Sequence, residues 1–392
     1  MKALIVSCAH AYKREDGTVY TPSVHSYEFF KRYLKAFDEI EVVARLCDAS
    51  DEETRNMIPL SGPGLSVCAL PYFRGMKQII KYLPKIINAI QKGKKRCNCI
   101  IYRVPQMESY LAWAFGGSIK KPFSVEVVAD PTGWTHVKGI AKILNINMLK
   151  RMCRKANGAT YETTEYLQRL YPPRAYIEGT SKYAFTTNYS SIHLEKKDIL
   201  DPKNYNPIQR PFKIVHVSNA IDDDLKGHST VINVTSKLKK AGHQIIVKFI
   251  GSGSAIDEFK LYAKQMDVED CVKFIGRISR KQELLDTMHK CDVLLFPTRS
   301  EGLPRSVIEA MAVGLPVLST PVAGIPELVE RKYLKLPDDT EGFTEILLRL
   351  LENPDELNEM SIKNVKTAGK YTNEKLEIRR TEFYDKLRNI GE

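Results

Sequence analysis

Apolar positions along the chain gather into short β-branched runs, separated by stretches with helical spacing. This alternation is expected of α/β folds with parallel sheets. In the first half, runs at 3–7, 40–44, 99–102, 124–128 and 158–161 predict strands, and residues 26–37 and 75–92 predict helices. Residues 196–211 break the pattern: Pro202, Pro207 and Pro211 stand among Asn and Asp with no apolar period, which predicts a linker. The pattern then restarts, with strands expected at 213–218, 244–251, 272–276, 293–297 and 316–319 and helices at 226–241, 256–265, 280–291 and 306–313. Over 373–390, Leu376, Arg380, Phe383, Tyr384 and Leu387 recur at helical spacing, so an amphipathic helix that needs a docking surface is predicted there.

The expected architecture is therefore α/β, with two doubly wound, Rossmann-like domains facing a cleft. Residues 1–195 form the first, 196–211 the linker and 212–372 the second; residues 373–392 dock back towards the first. At 392 residues, with 43% hydrophobic and 27% charged positions, the chain has material for two ordinary cores and is too apolar for disorder. No run of eighteen apolar residues occurs, and the apolar start at 3–6 is too short for a signal peptide. Eight cysteines without a paired C-x-x-C pattern read as free thiols, and a cytoplasmic location is expected.

Charge is unevenly shared. Residues 1–195 hold 28 Lys and Arg against 17 Asp and Glu, while the remainder is nearly balanced at 31 against 30. Within the first half, Arg74, Lys77, Lys81, Lys85, Lys92, Lys94, Lys95 and Arg96 occur with no acidic residue among them, interleaved with isoleucines. This predicts an anionic partner, either a phosphorylated acceptor or an acidic membrane surface to which the chain is peripheral; a solvated helix face with its isoleucines in the core is the other reading. Nothing points to nucleic acid.

The stretch from Phe296 to Val317 carries the most chemistry: a strand, a tight Gly-Pro loop, a helix and a second strand. The loop puts Glu301 at the carboxyl end of a strand, and the helix aims its free amides at the same place. Glu301 and Glu309 are then placed to accept hydrogen bonds from sugar hydroxyls. Equally, Ser306-Val307-Ile308-Glu309 has the form of a capping box, in which Glu309 would only satisfy the Ser306 backbone.

This stretch resembles the E-x7-E motif of retaining GT-B glycosyltransferases, glycosyltransferase family 4 in particular, with its E-G-L-P, E-A-M-A and G-x-P-V elements. Residues 321–328 are similar to the same family's G-G-x-P-E stretch, and the resemblance covers residues 213–330. It implies that Glu309 holds the donor ribose and Glu301 the donor sugar. Gly302, Leu303, Arg305 and Ser306 would meet sugar and diphosphate, Lys226 would neutralise the diphosphate, and Ile278 and Gly251 would lie at the nucleotide. Where relatives often carry an Arg six residues before that Lys, this chain has Ala220. The first half resembles polysaccharide-assembly members more loosely, and Asp130, standing where many carry a His, is nominated as an acceptor-side residue against a turn cap. Asp222, Asp223 and Asp224 read as a solvated loop, and no metal or cofactor is implied beyond the nucleotide sugar, most simply a UDP-sugar. The implied activity is retaining transfer to a saccharide or lipid-linked saccharide in surface polysaccharide assembly. A nucleotide-sugar epimerase of the same architecture and a noncatalytic partner subunit, the latter suggested by Ala220, are the alternatives.

Overall fold

In the computed structural model, which describes residues 1–23, 25–115, 121–133 and 139–392, the β-branched runs pair into two separate sheets. The chain divides into two units. One comprises Met1–Glu162, Leu167–Tyr189 and Glu377–Glu392, the other Thr163–Tyr166 and Ser190–Leu376.

The first unit contains, in order, β1 (Lys2–Lys13), β2 (Val19–Thr21), α1 (Tyr27–Phe30), β3 (Glu39–Asp48), β4 (Ile58–Pro59), β5 (Leu65–Pro71), α2 (Gly75–Arg96), β6 (Cys99–Val104), α3 (Met107–Phe115), β7 (Phe123–Val127), α4 (Gly139–Lys155), β8 (Gly158–Tyr161), α5 (Tyr166–Leu170), α6 (Arg174–Glu178) and β9 (Phe185–Asn188). Strands β5, β3, β1, β6, β7, β8 and β9 lie side by side in parallel, and β2 and β4 extend the far end of β1 antiparallel. Central strands such as β6 are buried on both faces, which is why they read as continuous apolar runs. The segment from His10 to Lys13, beyond the strand expected at 3–7, continues β1 because a bulge between Val6 and Ala9 resets its register on β3.

The second unit contains β10 (Phe212–Ala220), α7 (His228–Lys240), β11 (Ile245–Ser252), α8 (Ile256–Gln265), β12 (Val272–Gly276), α9 (Lys281–His289), β13 (Val293–Phe296), α10 (Arg305–Ala312), β14 (Val317–Ser319), α11 (Thr340–Glu352) and α12 (Pro354–Ala368). Its five parallel strands run in the order β12-β11-β10-β13-β14. The connections leave β10 in opposite directions, so its border with β13 is a topological switch point, with the loops after both strands opening at the carboxyl edge.

Residues 196–211 are held along the second unit. The Lys203 amide donates to Ser361 Oγ (2.8 Å) and the Tyr205 amide to Asn358 Oδ1 (2.8 Å), while the Tyr205 hydroxyl donates to the Asp292 carbonyl (2.8 Å). Prolines erase the apolar period, but the backbone finds partners on the second unit, to which the segment belongs. Helix α13 (Asn373–Gly391) ends in the first unit, where Phe383, Tyr384 and Leu387 are buried. Each such side chain contributes roughly 1.5–3 kcal/mol.

In α2, Ile79, Ile86 and Ile90 face the core of the first unit, and Lys77, Lys81, Lys85, Lys92 and Lys95 are exposed. These three isoleucines are committed to packing, whereas Met76 and Ile80 stay exposed among the lysines. Lys94 is buried instead, donating to the Ala112 carbonyl (2.8 Å), and burial draws its ammonium down to about 8. Among the described residues no helix is long and apolar enough to cross a membrane.

Candidate functional site

The site forms in the second unit where the loop after β10 meets the loop after β13. Gly227 caps α7 in the left-handed conformation (φ 79°), and a side chain there would overlap the Pro297 carbonyl, so only glycine lets the loops close on each other. The Arg299 amide donates to the Leu225 carbonyl (2.9 Å), and Arg299 Nη1 to the Asp224 carbonyl (2.6 Å). Thr298 Oγ1 donates to the Ser300 carbonyl (3.1 Å). These bonds hold Lys226 against the second loop, where Nζ donates to the Ser300 carbonyl (2.8 Å) and to Glu301 Oε1. Both side chains of this ion pair keep some solvent access.

Helix α10 starts at Arg305 with Pro304 as its N-cap and no side chain capping it. Its first amides therefore stay available, and the capping box is not formed. Ser306 falls inside the helix, two residues after the cap position. Glu309, left without that role, has no hydrogen-bond or ion-pair partner among the described residues. Burial pushes its carboxyl above the ordinary value, against the opposing pull of Arg305 and Lys281. Val307, Ile308, Ala310, Met311 and Ala312 bury the other faces of α10 and fix the orientation of Glu309.

The remaining predicted residues sit on the same edge. Leu303 is buried, and the Gly302 carbonyl accepts from the Gly324 amide (2.9 Å), tying the loop to the turn before Glu327. Gly251, one residue before the end of β11, has φ 149°, and an added Cβ there would overlap the Ser218 carbonyl. Ile278 lies half-buried in the loop after β12. Ala220 is exposed at the end of β10. Arg299 does not supply the cation that position lacks, because it is engaged by Asp224 and Asp338. Arg305 is exposed and has no partner among the described residues, so it is available.

The three aspartates are dispersed. Asp222 accepts from the Ser254 amide (2.8 Å), Asp223 from the Leu225 amide (2.9 Å) and Asp224 from the Ser229 amide (2.9 Å). In the first unit, Asp130 Oδ1 accepts from the Thr132 amide (2.9 Å) and the Tyr171 hydroxyl (2.6 Å), the geometry of a turn cap.

Two features escaped the sequence reading. Glu327 accepts from the Thr164 amide (2.6 Å), the Thr164 hydroxyl (2.6 Å), the Glu165 amide (3.0 Å) and the Tyr166 amide (2.7 Å), which accounts for the membership of 163–166 in the second unit. Behind Lys226, His216 and His228 are buried with ring centroids 4.6 Å apart, and burial lowers both, His228 to about 4. They are neutral aromatic packing beneath a cationic loop. Only the spacing of His228 two residues after Lys226 hinted at it.

A lysine, two carboxylates and an uncapped helix terminus thus lie together at the switch point of the second sheet. Residues 200–368, which include every second-unit residue of the site named above except Thr164, Glu165 and Tyr166, match the family model described as Glycosyl transferases group 1. The fold matches that of a solved Anabaena protein, Alr3699/HepE in complex with UDP, at TM-score 0.68 and 15% identity over 97% of this chain and 99% of that one. The fold is thus of the GT-B class, and residues 200–368 are similar to a group 1 glycosyl transferase domain. Among curated proteins, the chain is similar to Protein CapJ of Staphylococcus aureus, 27% identical over 91% of this chain and 88% of that protein. It is also similar to the amylovoran biosynthesis glycosyltransferase AmsK of Erwinia amylovora, 32% identical over 38% of this chain and 40% of AmsK.

Proposed function

We propose that the chain is a retaining, metal-independent glycosyltransferase that moves a sugar from a UDP-sugar to a saccharide or lipid-linked saccharide in surface polysaccharide assembly. Residues 212–372 bind the donor and residues 1–195 the acceptor, with the first unit resting on an acidic membrane surface at the cytoplasmic face. The observation that carries this reading is the pairing of Lys226 with Glu301 beside the uncapped start of α10, one helical turn from a partnerless Glu309.

Glu309 accepts the donor ribose hydroxyls, and Glu301 the hydroxyls of the sugar ring. Donor phosphates draw Lys226 from Glu301 and meet the α10 amides and Arg305. The bond from the sugar's anomeric carbon to the diphosphate then breaks, and its electron pair stays on the leaving oxygen. The acceptor oxygen bonds to the same face of the oxocarbenium-like ring, and its proton passes to the departing diphosphate. Lys226 and the helix terminus stabilise that departing charge; fixed donors of this kind contribute about 3–4 kcal/mol each in a dry site.

The test is transfer from a panel of UDP-sugars, with the anomeric configuration of the product read by NMR. Retention, and unchanged turnover in EDTA, are expected; inversion, or rescue by Mn2+ of an EDTA-inactivated enzyme, overturns the reading. Glu301→Gln is expected to lower kcat about a hundredfold with little change in donor affinity, because the sugar contact strengthens as the bond breaks.

A further inference from the structure

We infer that the outward face of α4 is the surface through which the chain lies on an anionic bilayer, an assignment that rests on the membrane reading proposed above and gives it a location. Along this face Ile140, Ile143 and Leu144 are 77%, 58% and 62% exposed, while Leu149, Met152 and Cys153 on the opposite face are fully buried. Three large aliphatic side chains exposed at i, i+3 and i+4 make a contiguous apolar patch, the kind of surface that marks an interaction site.

Two turns further along, the same face presents Arg151, Arg154 and Lys155, all exposed. The helix therefore does not separate apolar from charged residues around its circumference, as α2 does. It separates them along its length, with an apolar amino-terminal half and a cationic carboxyl-terminal half. Residues 131–161 contain no Asp or Glu to oppose that charge.

A bilayer has the complementary order, hydrocarbon below and phosphate above. A helix inclined to the surface would sink Ile140, Ile143 and Leu144 into the acyl boundary and lay Arg151, Arg154 and Lys155 on headgroup phosphates. Neighbouring elements add to the same purpose. The Tyr110 hydroxyl of α3 donates to the Asn145 carbonyl of α4 (3.3 Å), and α3 ends in the exposed Phe115. Helix α2 keeps Ile79, Ile86 and Ile90 in the core and exposes Met76 and Ile80 among its lysines, so it offers a smaller apolar surface for insertion than α4.

The experiment is sedimentation of the full chain with phosphatidylglycerol–phosphatidylcholine vesicles and with pure phosphatidylcholine. The wild type should pellet with the anionic vesicles only. Ile140→Ser/Ile143→Ser/Leu144→Ser should weaken binding roughly tenfold or more. Arg151→Gln/Arg154→Gln/Lys155→Gln should weaken it roughly as much and flatten its salt dependence. All these side chains are exposed, so UDP-sugar binding and Tm should hold in both variants. Lys81→Gln/Lys85→Gln/Lys92→Gln/Lys95→Gln should weaken binding less than either. If both α4 variants pellet like the wild type while the α2 variant is lost, the assignment to α4 is wrong and the membrane reading stands. If the wild type stays in solution with every vesicle, both fail. If the aliphatic variant instead dissolves a dimer seen by analytical ultracentrifugation, the face serves self-association.

Discussion

Glu126 in the first unit is buried and Glu309 in the second is half-buried, and their surroundings treat them in opposite ways. Glu126 accepts from the hydroxyls of Tyr33 (2.8 Å), Tyr189 (3.0 Å) and Tyr384 and pairs with Arg103. Burial alone would raise its carboxyl, but the Arg103 charge and the three phenols reverse this and hold it below the ordinary value. Glu309 has no such partners, and burial leaves it raised. A carboxylate saturated by its own fold has nothing left for a ligand, whereas one left short is ready for hydroxyl donors at a cost in stability.

The largest effect should come from Glu126→Ala, which strands the buried Arg103 charge and is expected to cost about 3–5 kcal/mol in urea unfolding. A loss below about 1 kcal/mol would break the comparison at that end. The pH dependence has a definite sign. Because Glu126 is depressed in the fold, its contribution is present above the ordinary carboxylate range and is lost as pH falls through its folded value. Glu126→Gln should accordingly flatten the acid arm of the stability profile.

Next in size, Glu309→Gln should weaken UDP-sugar binding by about 10- to 100-fold in calorimetry, with a smaller change in kcat. Unchanged affinity would mean that the unmet carboxylate is not held for the donor. Tyr384→Phe should cost about 1 kcal/mol, since Glu126 keeps its other donors. A cost as large as that of Glu126→Ala would show that the phenol, not the ion pair, anchors α13.

The smallest expected effect separates function from stability. With its pKa raised in the fold, Glu309 makes stability fall as pH rises from the ordinary carboxylate range through its folded value. Removing the charge should therefore raise the Tm of the ligand-free Glu309→Gln protein by roughly 1–2 °C at neutral pH and by nothing in acid. A lowered Tm would restore a structural role for Glu309.

The sequence made the sheet strands legible where both faces are buried, as in β6, β10 and β13, because burial leaves an uninterrupted apolar run. It failed where tertiary partners replace periodicity. Tyr205 and Lys203 are fixed by side chains over 150 residues away, and β5 alternates buried Leu65, Cys68 and Leu70 with exposed positions too irregularly to stand out. Helix α4 was obscure for another reason: its outward face is apolar in one half and basic in the other, so averaging around the helix cancels the signal. In the site, Lys226, Glu301 and Glu309 were legible as a motif, and the choice between cap and ligand at Glu309 was not. Whether Glu309 closes a capping box turned on whether the N-cap of α10 is Pro304 or Ser306, a two-residue difference that only backbone geometry resolves. Glu327 was likewise visible as a letter but not as an acceptor, since its four donors lie some 160 residues upstream.

The passage of α13 into the first unit has a consequence for the order of synthesis. β8 begins at Gly158, which lacks a side chain because the rings of Phe185 and Phe383 close over it. Until Phe383 and Tyr384 have emerged from the ribosome, that surface and the Glu126 carboxylate stay open. By then residues 190–376 are already outside and free to fold. The first unit is thus the first begun and the last closed, and a chain released before residue 377 would carry a complete second unit and an unsealed first one.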